Sequence, residues 1–377
     1  MSILKSRAAV YTGASHEVEI TEISVAPPKR GEVLVQIRAS GVCGSDRHVL
    51  DGEWSVPQPT VMGHEGAGII TAVGDGVDGV GVGDHVVLVW NQECRHCVNC
   101  LSGKPWACTE LKSNECVMPD GTTRLALDGN DAYPYIAVGS MSEYAVVPAS
   151  AAIVVPKDLP FDVAALLGCS VHTGLGAVIN SARVVAGESA VVVGCGGVGL
   201  SIVMGLRLAG ASPIVAIDRN PEKLELALAA GATHAILADD TTAGKIHALT
   251  NGGADVAFEA IGNPHTIAAL PSHVSPGGRI VFVGMPPEEA PIAFDVLDLC
   301  YRGITAIACN YGNGVPARDF PRYAQLYLEG RLPVDTLISR RIGLEQVNEA
   351  FDAMRNGSDA RSVIVFEGSS SPGGTAA

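Results

Sequence analysis

An apolar run at residues 189–193 ends in three glycines spaced as Gly194, Gly196 and Gly199, and an acid, Asp218, follows nineteen residues after the last. A continuous apolar run of this length reads as a buried parallel strand. Helix formers from Leu200 to Leu208 read as the helix that leaves the glycines, and residues 213–218 as the next strand. Alone, such glycine spacing marks only a tight turn. Between a strand and a helix, with an acid at this distance, it predicts a dinucleotide-binding unit. Backbone N–H groups of Gly194, Gly196, Gly197 and Gly199 and the helix N-terminus would then approach a pyrophosphate. Asp218 would accept hydrogen bonds from ribose hydroxyls and repel a 2′-phosphate, which predicts NAD over NADP, with Arg219 beside it pulling the other way.

The same alternation continues through residues 222–237, 254–260 and 278–284, so this part of the chain is expected to form a doubly wound parallel sheet. The first 150 residues differ. Period-2 runs such as residues 32–38, and glycine-punctuated runs at 66–74 and 84–89, predict many short strands and a closed or partly closed antiparallel barrel. Amphipathic helices at 320–328 and 345–354 and a strand at 361–366 depart from the α/β pattern. A chain of 377 residues exceeds one ordinary core. The expected division is therefore α/β in class, with a mostly-β domain of residues 1–170 and 310–377 and a dinucleotide-binding domain of residues 171–309. The Gly/Ser/Pro-containing tail, 369–377, is expected to be disordered.

A formal net charge of -15 argues against nucleic acid and anionic membranes as partners. No apolar run is expected to reach the length of a membrane span, and residues 1–7 do not read as a secretory signal. Ten cysteines without such a signal suit the cytoplasm, as thiols or metal ligands.

Two short segments carry candidate ligands. Residues 43–48 hold Cys43, Ser45, Asp46 and His48; residues 63–66 hold His64 and Glu65. Thiolate and imidazole suit zinc, and a nearby carboxylate can orient a ligand. Cys94, Cys97, Cys100 and Cys108 fall within fifteen residues, dense enough to wrap one tetrahedral zinc with no open position; an iron–sulfur cluster is the rival occupant.

Taken in order, these pieces together with Cys169 resemble the zinc-dependent medium-chain alcohol dehydrogenases over nearly the whole chain. The resemblance implies a GroES-like catalytic domain beside a Rossmann domain, two Zn2+ per subunit and NAD. It makes Cys43, His64 and Cys169 the catalytic zinc ligands, a set carried over from the family. Asp46 and Glu65 become supporting carboxylates, and the four-cysteine loop the structural site. Ser45 would pass the alcohol proton to His48 and so to solvent. Cofactor contacts would fall on Thr173, Val198, Asp218, Lys223, Val283 and Arg361. Trp54 and Trp90 would line the substrate channel, or be plain core aromatics. Gly44 stands where many relatives carry a basic residue against the pyrophosphate.

The activity so implied is reversible oxidation of a primary or secondary alcohol, with hydride passing from a zinc-held alkoxide to NAD. Residues 118–124 resemble the branch that oxidises S-(hydroxymethyl) thiol adducts, and Lys112 could there meet a carboxylate. A dehydrogenase that never releases its nicotinamide, and a non-enzymatic zinc and nucleotide module, are the further readings. The resemblance implies a homodimer, with a homotetramer as alternative, and an apolar sheet edge at residues 303–309 would invite such pairing.

Overall fold

The computed structural model describes residues 2–357 and 361–366, so the tail at 369–377 lies outside the described residues. The chain divides into two compact units, Met1–Cys169 with Val315–Ala377, and Ser170–Gly314.

The first unit contains a closed five-stranded barrel, in the order Leu4–Tyr11, Glu19–Val25, Leu125–Leu127, Asn130–Pro134 and Thr60–Val61. Every neighbouring pair is antiparallel except Thr60–Val61 with Asn130–Pro134, which is parallel. Closure leaves no unpaired edge, which is how short strands escape edge-to-edge association. Alternate residues point inward, so Ala8 and Val10, Ile23 and Val25, and Val61 and Leu125 meet in one buried core.

The second sheet of this unit positions the chemistry. Its long central strand, Glu32–Gly41, pairs on one side with Glu65–Val73 and on the other with Ser362–Val365. The register sets Gly41 opposite both Glu65 and Val363. Residues far apart in sequence thus arrive together at the strand end that leads into Cys43. Gly41 is required there, because a Cβ on it would sit 2.0 Å from the Glu65 Oε2 atom.

The second unit is a six-stranded sheet in which every neighbouring pair is parallel. Its order is His234–Leu237, Ile214–Asp218, Ala190–Val193, Ala254–Glu259, Val274–Phe282 and Thr305–Ala308. Numbered along the chain this is 3-2-1-4-5-6, the doubly wound arrangement whose crevice opens where the order reverses, between Ala190–Val193 and Ala254–Glu259. Val191, Val193, Val215, Ile217, Ala257 and Ile280 form its core. Thr305–Ala308 is an edge strand, as expected for the 303–309 run.

Helical structure runs without interruption from Phe161 to Ala182, 22 residues that include an 18-residue window of mean hydropathy 1.5. By length and composition it could cross a bilayer, which corrects the expectation that no apolar run is long enough. Ninety-four per cent of its apolar window is buried within the protein, which accounts for the composition. The winding widens to π geometry at Leu167–Val171 and again at Ala177–Ala182.

Residues 118–124 form a clamp. Met118 receives the Gly121 N–H at 2.8 Å and donates to Thr122 O at 2.9 Å, closing a turn. From it Arg124, 4% exposed, binds both carboxylate oxygens of the buried Glu32, with Nε to Oε2 at 2.8 Å and Nη2 to Oε1, and reaches Asp120 Oδ2 at 2.8 Å. Removing one partner of a buried ion pair strands the other charge, at a cost of about 3–5 kcal/mol. Arg124→Met is therefore expected to lower the thermal unfolding midpoint by several degrees with zinc content unchanged; calorimetry showing no change would refute the clamp.

Candidate active site

Asp46, fully buried, organises the centre of the first unit. The helix Gly44–Leu50 begins directly after Cys43. On its first turn the Asp46 carboxylate accepts the Cys43 N–H at 3.0 Å, the Gly63 N–H at 3.2 Å and the His64 Nδ1–H at 3.3 Å. A carboxylate can only accept here, so the His64 proton sits on Nδ1 and Nε2 keeps its lone pair for a metal. Tyr135 stands edge-on to His64, ring centroids 5.6 Å apart, and its hydroxyl donates to Ser45 O at 3.0 Å.

Cys169 comes from the wide turn Leu167–Val171. Such turns offset a helix locally and recur at functional sites. At Gly168 the turn packs against the strand His85–Leu88, where an added Cβ would lie 3.1 Å from Leu88 O.

The result is a buried group of four, Cys43, His64, Glu65 and Cys169, whose ligand atoms all lie within 4.8 Å of one another. Ligands 2.0–2.3 Å from a shared zinc lie roughly 3.3–3.8 Å apart, so the set fits one tetrahedral ion. The electrostatics agree. The Cys169 thiol donates toward Cys43 and, with Arg361 and His64 nearby, holds the Cys43 thiol well below its ordinary range; Cys169 is pushed up in return. Burial works against a charged His64, but the Asp46 carboxylate outweighs it and raises the imidazole.

Burial lifts Glu65 to about 8, against the pull of Arg361. Both Glu65 oxygens are buried without a hydrogen bond, and Arg361 Nη2 lies 3.4 Å from Oε1. A buried carboxylate this poorly served, beside two thiols and an imidazole, suits a divalent cation. Arg361 is itself buried and donates through Nη1 to Val42 O at 2.8 Å.

Ser45 Oγ lies 3.9 Å from Cys43 Sγ. His48 sits at the far end of the same short helix, hydrogen-bonded through Nδ1 to Glu53 and stacked on Trp54 with centroids 4.5 Å apart. Trp90 is half-buried. Lys112 is ion-paired with Glu115 at 2.6 Å.

Cys94, Cys97, Cys100 and Cys108 form a second group within the same 4.8 Å limit. Backbone N–H groups of Cys94, Cys97 and Cys100 point at Cys108, Cys94 and Cys97 sulfurs at 3.4, 3.2 and 3.5 Å. Hydrogen bonds from the Cys100 and Thr109 backbone bring the Cys97 thiol down to about 5, while burial pushes Cys100 up to about 12. N–H groups aimed at sulfur favour thiolates, the form that binds zinc. Of the remaining cysteines, Cys116, Cys195 and Cys309 are buried and Cys300 is exposed.

In the second unit Gly194 turns at φ +94°, and a Cβ there would strike Ile261 at 2.4 Å. A Cβ on Gly199 would lie 1.7 Å from Gly194 O, so loop and helix touch. Around Gly196 nothing lies within 4 Å of a Cβ position. That clear face, ahead of the uncapped helix Gly197–Ala209, fits a pyrophosphate. Asp218 ends its strand with Oδ2 accepting from Cys195 N at 2.8 Å and Oδ1 from Asn220 N at 2.9 Å. Val198 and Lys223 are half-buried, on the helices Gly197–Ala209 and Pro221–Ala230; Val283 follows the strand Val274–Phe282, and Thr173 lies on the helix His172–Gly176.

Sequence reasoning missed Glu53 and Tyr135 as neighbours of the centre. Neither follows a motif spacing; the turn after residue 50 and the barrel closure bring them in.

Residues 29–157 match the family described as Alcohol dehydrogenase GroES-like domain, and residues 197–329 the one described as Zinc-binding dehydrogenase. The chain is similar to S-(hydroxymethyl)glutathione dehydrogenase of Paracoccus denitrificans, 37% identical over 378 residues that cover 96% of this chain and all of that one. Among solved structures it is similar to benzyl alcohol dehydrogenase of Acinetobacter calcoaceticus, at TM-score 0.90 and 34% identity, over 96% and 99% of the two chains. It is also similar to an alcohol dehydrogenase from Escherichia coli CFT073 complexed with NADH, at TM-score 0.78 and 26% identity, over 96% and 99%.

Two separate ion sites make a testable distinction. Zinc-replete protein is expected to carry two ions per chain. Cys43→Ser should lose one while its thermal midpoint falls little; Cys100→Ser should lose the other and unfold at lower temperature, because a metal bound only by the folded state adds its binding energy to stability. Elemental analysis with thermal melts checks both, and two ions retained in Cys43→Ser would remove that site.

Proposed function

The chain belongs to the zinc-containing medium-chain alcohol dehydrogenases, and from that premise we propose that it oxidises uncharged primary or secondary alcohols reversibly with NAD. As a zinc-dependent alcohol dehydrogenase it is an oxidoreductase acting on CH–OH. The observation that carries the proposal is the convergence of Cys43, His64 and Cys169, with Glu65, on one buried point.

Bound there, zinc supplies Lewis acidity toward the alcohol oxygen, and a nicotinamide supplies the hydride acceptor. The chain's own residues do the rest. Cys43, His64 and Cys169 hold the ion, and Asp46 fixes His64 through Nδ1. Glu65 is a reserve carboxylate, restrained by Arg361. Ser45 Oγ takes the alcohol proton and His48 passes it to water. The loop at Gly194, Gly196, Gly197 and Gly199 binds pyrophosphate, Asp218 and Lys223 the adenosine ribose, and Thr173, Val198 and Val283 the nicotinamide end. A cofactor contact for Arg361 joins its pairing with Glu65. In this reading residues 1–170 and 310–377 are the catalytic domain and residues 171–309 the dinucleotide domain. All ten cysteines are free, which suits a cytoplasmic setting.

One relative is named for S-(hydroxymethyl)glutathione, and that substrate is the second reading. It is charged, and its capture calls for a cation near the channel mouth. Lys112 is already neutralised by Glu115, and residues 118–124 serve the Arg124 clamp, so neither feature favours it over a neutral alcohol. Exposed Val296, Leu297 and Tyr301 beside the edge strand Thr305–Ala308 support pairing with a second copy of the chain, as a dimer first and a tetramer second.

Steady-state assays of zinc-replete protein test the proposal. Simple and benzylic alcohols with NAD should give the highest kcat/KM, and a glutathione adduct turned over faster than every free alcohol would overturn the choice. Asp218→Ser should raise KM for NAD by roughly tenfold or more, the loss of a charged hydrogen-bond acceptor, and admit NADP. An unchanged NAD:NADP ratio would remove Asp218 from the ribose site.

A further inference from the structure

Proton transfer through an imidazole needs one ring nitrogen presented to the donor and the ring held in one orientation. The contacts on His48 meet the second need and leave Nε2 for the first. The helix Gly44–Leu50 ends at Asp51, and Gly52 then adopts φ +74°, a left-handed turn that glycine takes without steric penalty. That turn folds the chain back on itself, so the N–H groups of Glu53 and Trp54 both donate to His48 O, at 2.8 and 3.1 Å. The Glu53 carboxylate consequently reaches Nδ1 of the His48 ring. The Trp54 indole lies over the ring face, centroids 4.5 Å apart and planes 20° from parallel. His48 is 7% exposed, while the Glu53 side chain is 35% exposed.

We propose that Glu53 is the positioning residue of the proton relay: its carboxylate holds the Nδ1–H of His48, sets Nε2 as the nitrogen that receives the alcohol's proton, and steadies the imidazolium that forms. The proposal rests on the alcohol-dehydrogenase reading given above. The chemical logic is that a carboxylate offers no proton, so the shared hydrogen belongs to Nδ1 and the lone pair to Nε2. When Nε2 takes up the proton, both nitrogens carry hydrogen and the ring is a cation beside a fixed anion. Release of the proton from Nε2 to water restores the starting tautomer, so charge and protons balance over one turnover. In the same arrangement Trp54 is a wall for the imidazole face, which gives it a part in aiming His48 as well as any in lining a channel.

The test is a double-mutant cycle. In wild type, Glu53→Gln is expected to lower kcat/KM for the alcohol by about ten- to hundredfold, a fraction of the 10²–10⁴ a positioned acid–base group supplies. The solvent deuterium isotope effect on kcat/KM should rise, while NADH affinity and zinc content stay at wild-type values. In a His48→Gln background the same change should have no further effect, because residues that act as a unit are not additive. Equal losses in both backgrounds, or none in either, would overturn the proposal. Nitrogen-15 spectra of histidine-labelled protein give a readout free of turnover: His48 should carry its proton on Nδ1 in wild type and distribute it between both nitrogens in Glu53→Gln. An Nε2–H tautomer in wild type would sink the assignment. Wild type with the expected tautomer but no alcohol oxidation would instead refute the proposed function and leave the Glu53–His48 contact standing.

Discussion

The carboxylate of Asp46 is the contact on which the metal centre depends. Its oxygens accept N–H groups from Cys43, Gly63 and His64, so one buried side chain joins two segments that reach the site from different strands. Each bond is charge-assisted and removed from water, where such bonds are strongest. With Asp46 in place, Cys43 is fixed at the start of its helix and His64 is turned so that its free nitrogen faces inward. The strand register places Glu65 and residue 361 at the same end of the sheet, and the wide turn of the long helix completes the set with Cys169.

The buried charges around this point form a nearly closed set. Thiolate character on Cys43 and the Asp46 carboxylate stand against Arg361 and the raised imidazole of His64, while Glu65 is held toward its neutral form by burial. Isolated buried charges are costly, and here each has a partner of opposite sign within the cluster. Cys43, His64 and Cys169 would hold a divalent cation here, and its charge would favour the ionised form of Glu65, as Arg361 already does. Glu65 thus sits within reach of both the Arg361 guanidinium and the ligand atoms of Cys43, His64 and Cys169.

Much of this was legible in the chain. The glycine fingerprint is local: strand, turn, helix and acid all lie within residues 189–218, and the parallel sheet follows from the alternation around them. The four-cysteine loop is local in the same sense, and its ligand atoms converge as its density implied. Cys43, His64 and Cys169 are a different case. Nothing in their separations dictates contact; resemblance supplied them, and the geometry that unites them comes from long-range register and a helical irregularity. Glu53 and Tyr135 were invisible because one depends on a left-handed turn at Gly52 and the other on how the barrel closes. The helix Phe161–Ala182 is long and apolar enough to span a bilayer, against the expectation for apolar runs, because its composition reflects burial inside protein.

Those π turns set an unusual rule for change in this segment. An ordinary helix advances 100° per residue, so one residue more or fewer rotates everything downstream by that angle. At Leu167–Val171 the extra residue per turn is what aims Cys169, so chemistry there is governed by counting. Substitutions at 167, 168, 170 or 171 alter packing around the ligand, whereas a single codon gained or lost swings the sulfur itself out of reach. Cys169 as ligand and Gly168 against Leu88 O fix two residues of the stretch, and the number of residues in it is a third and separate constraint.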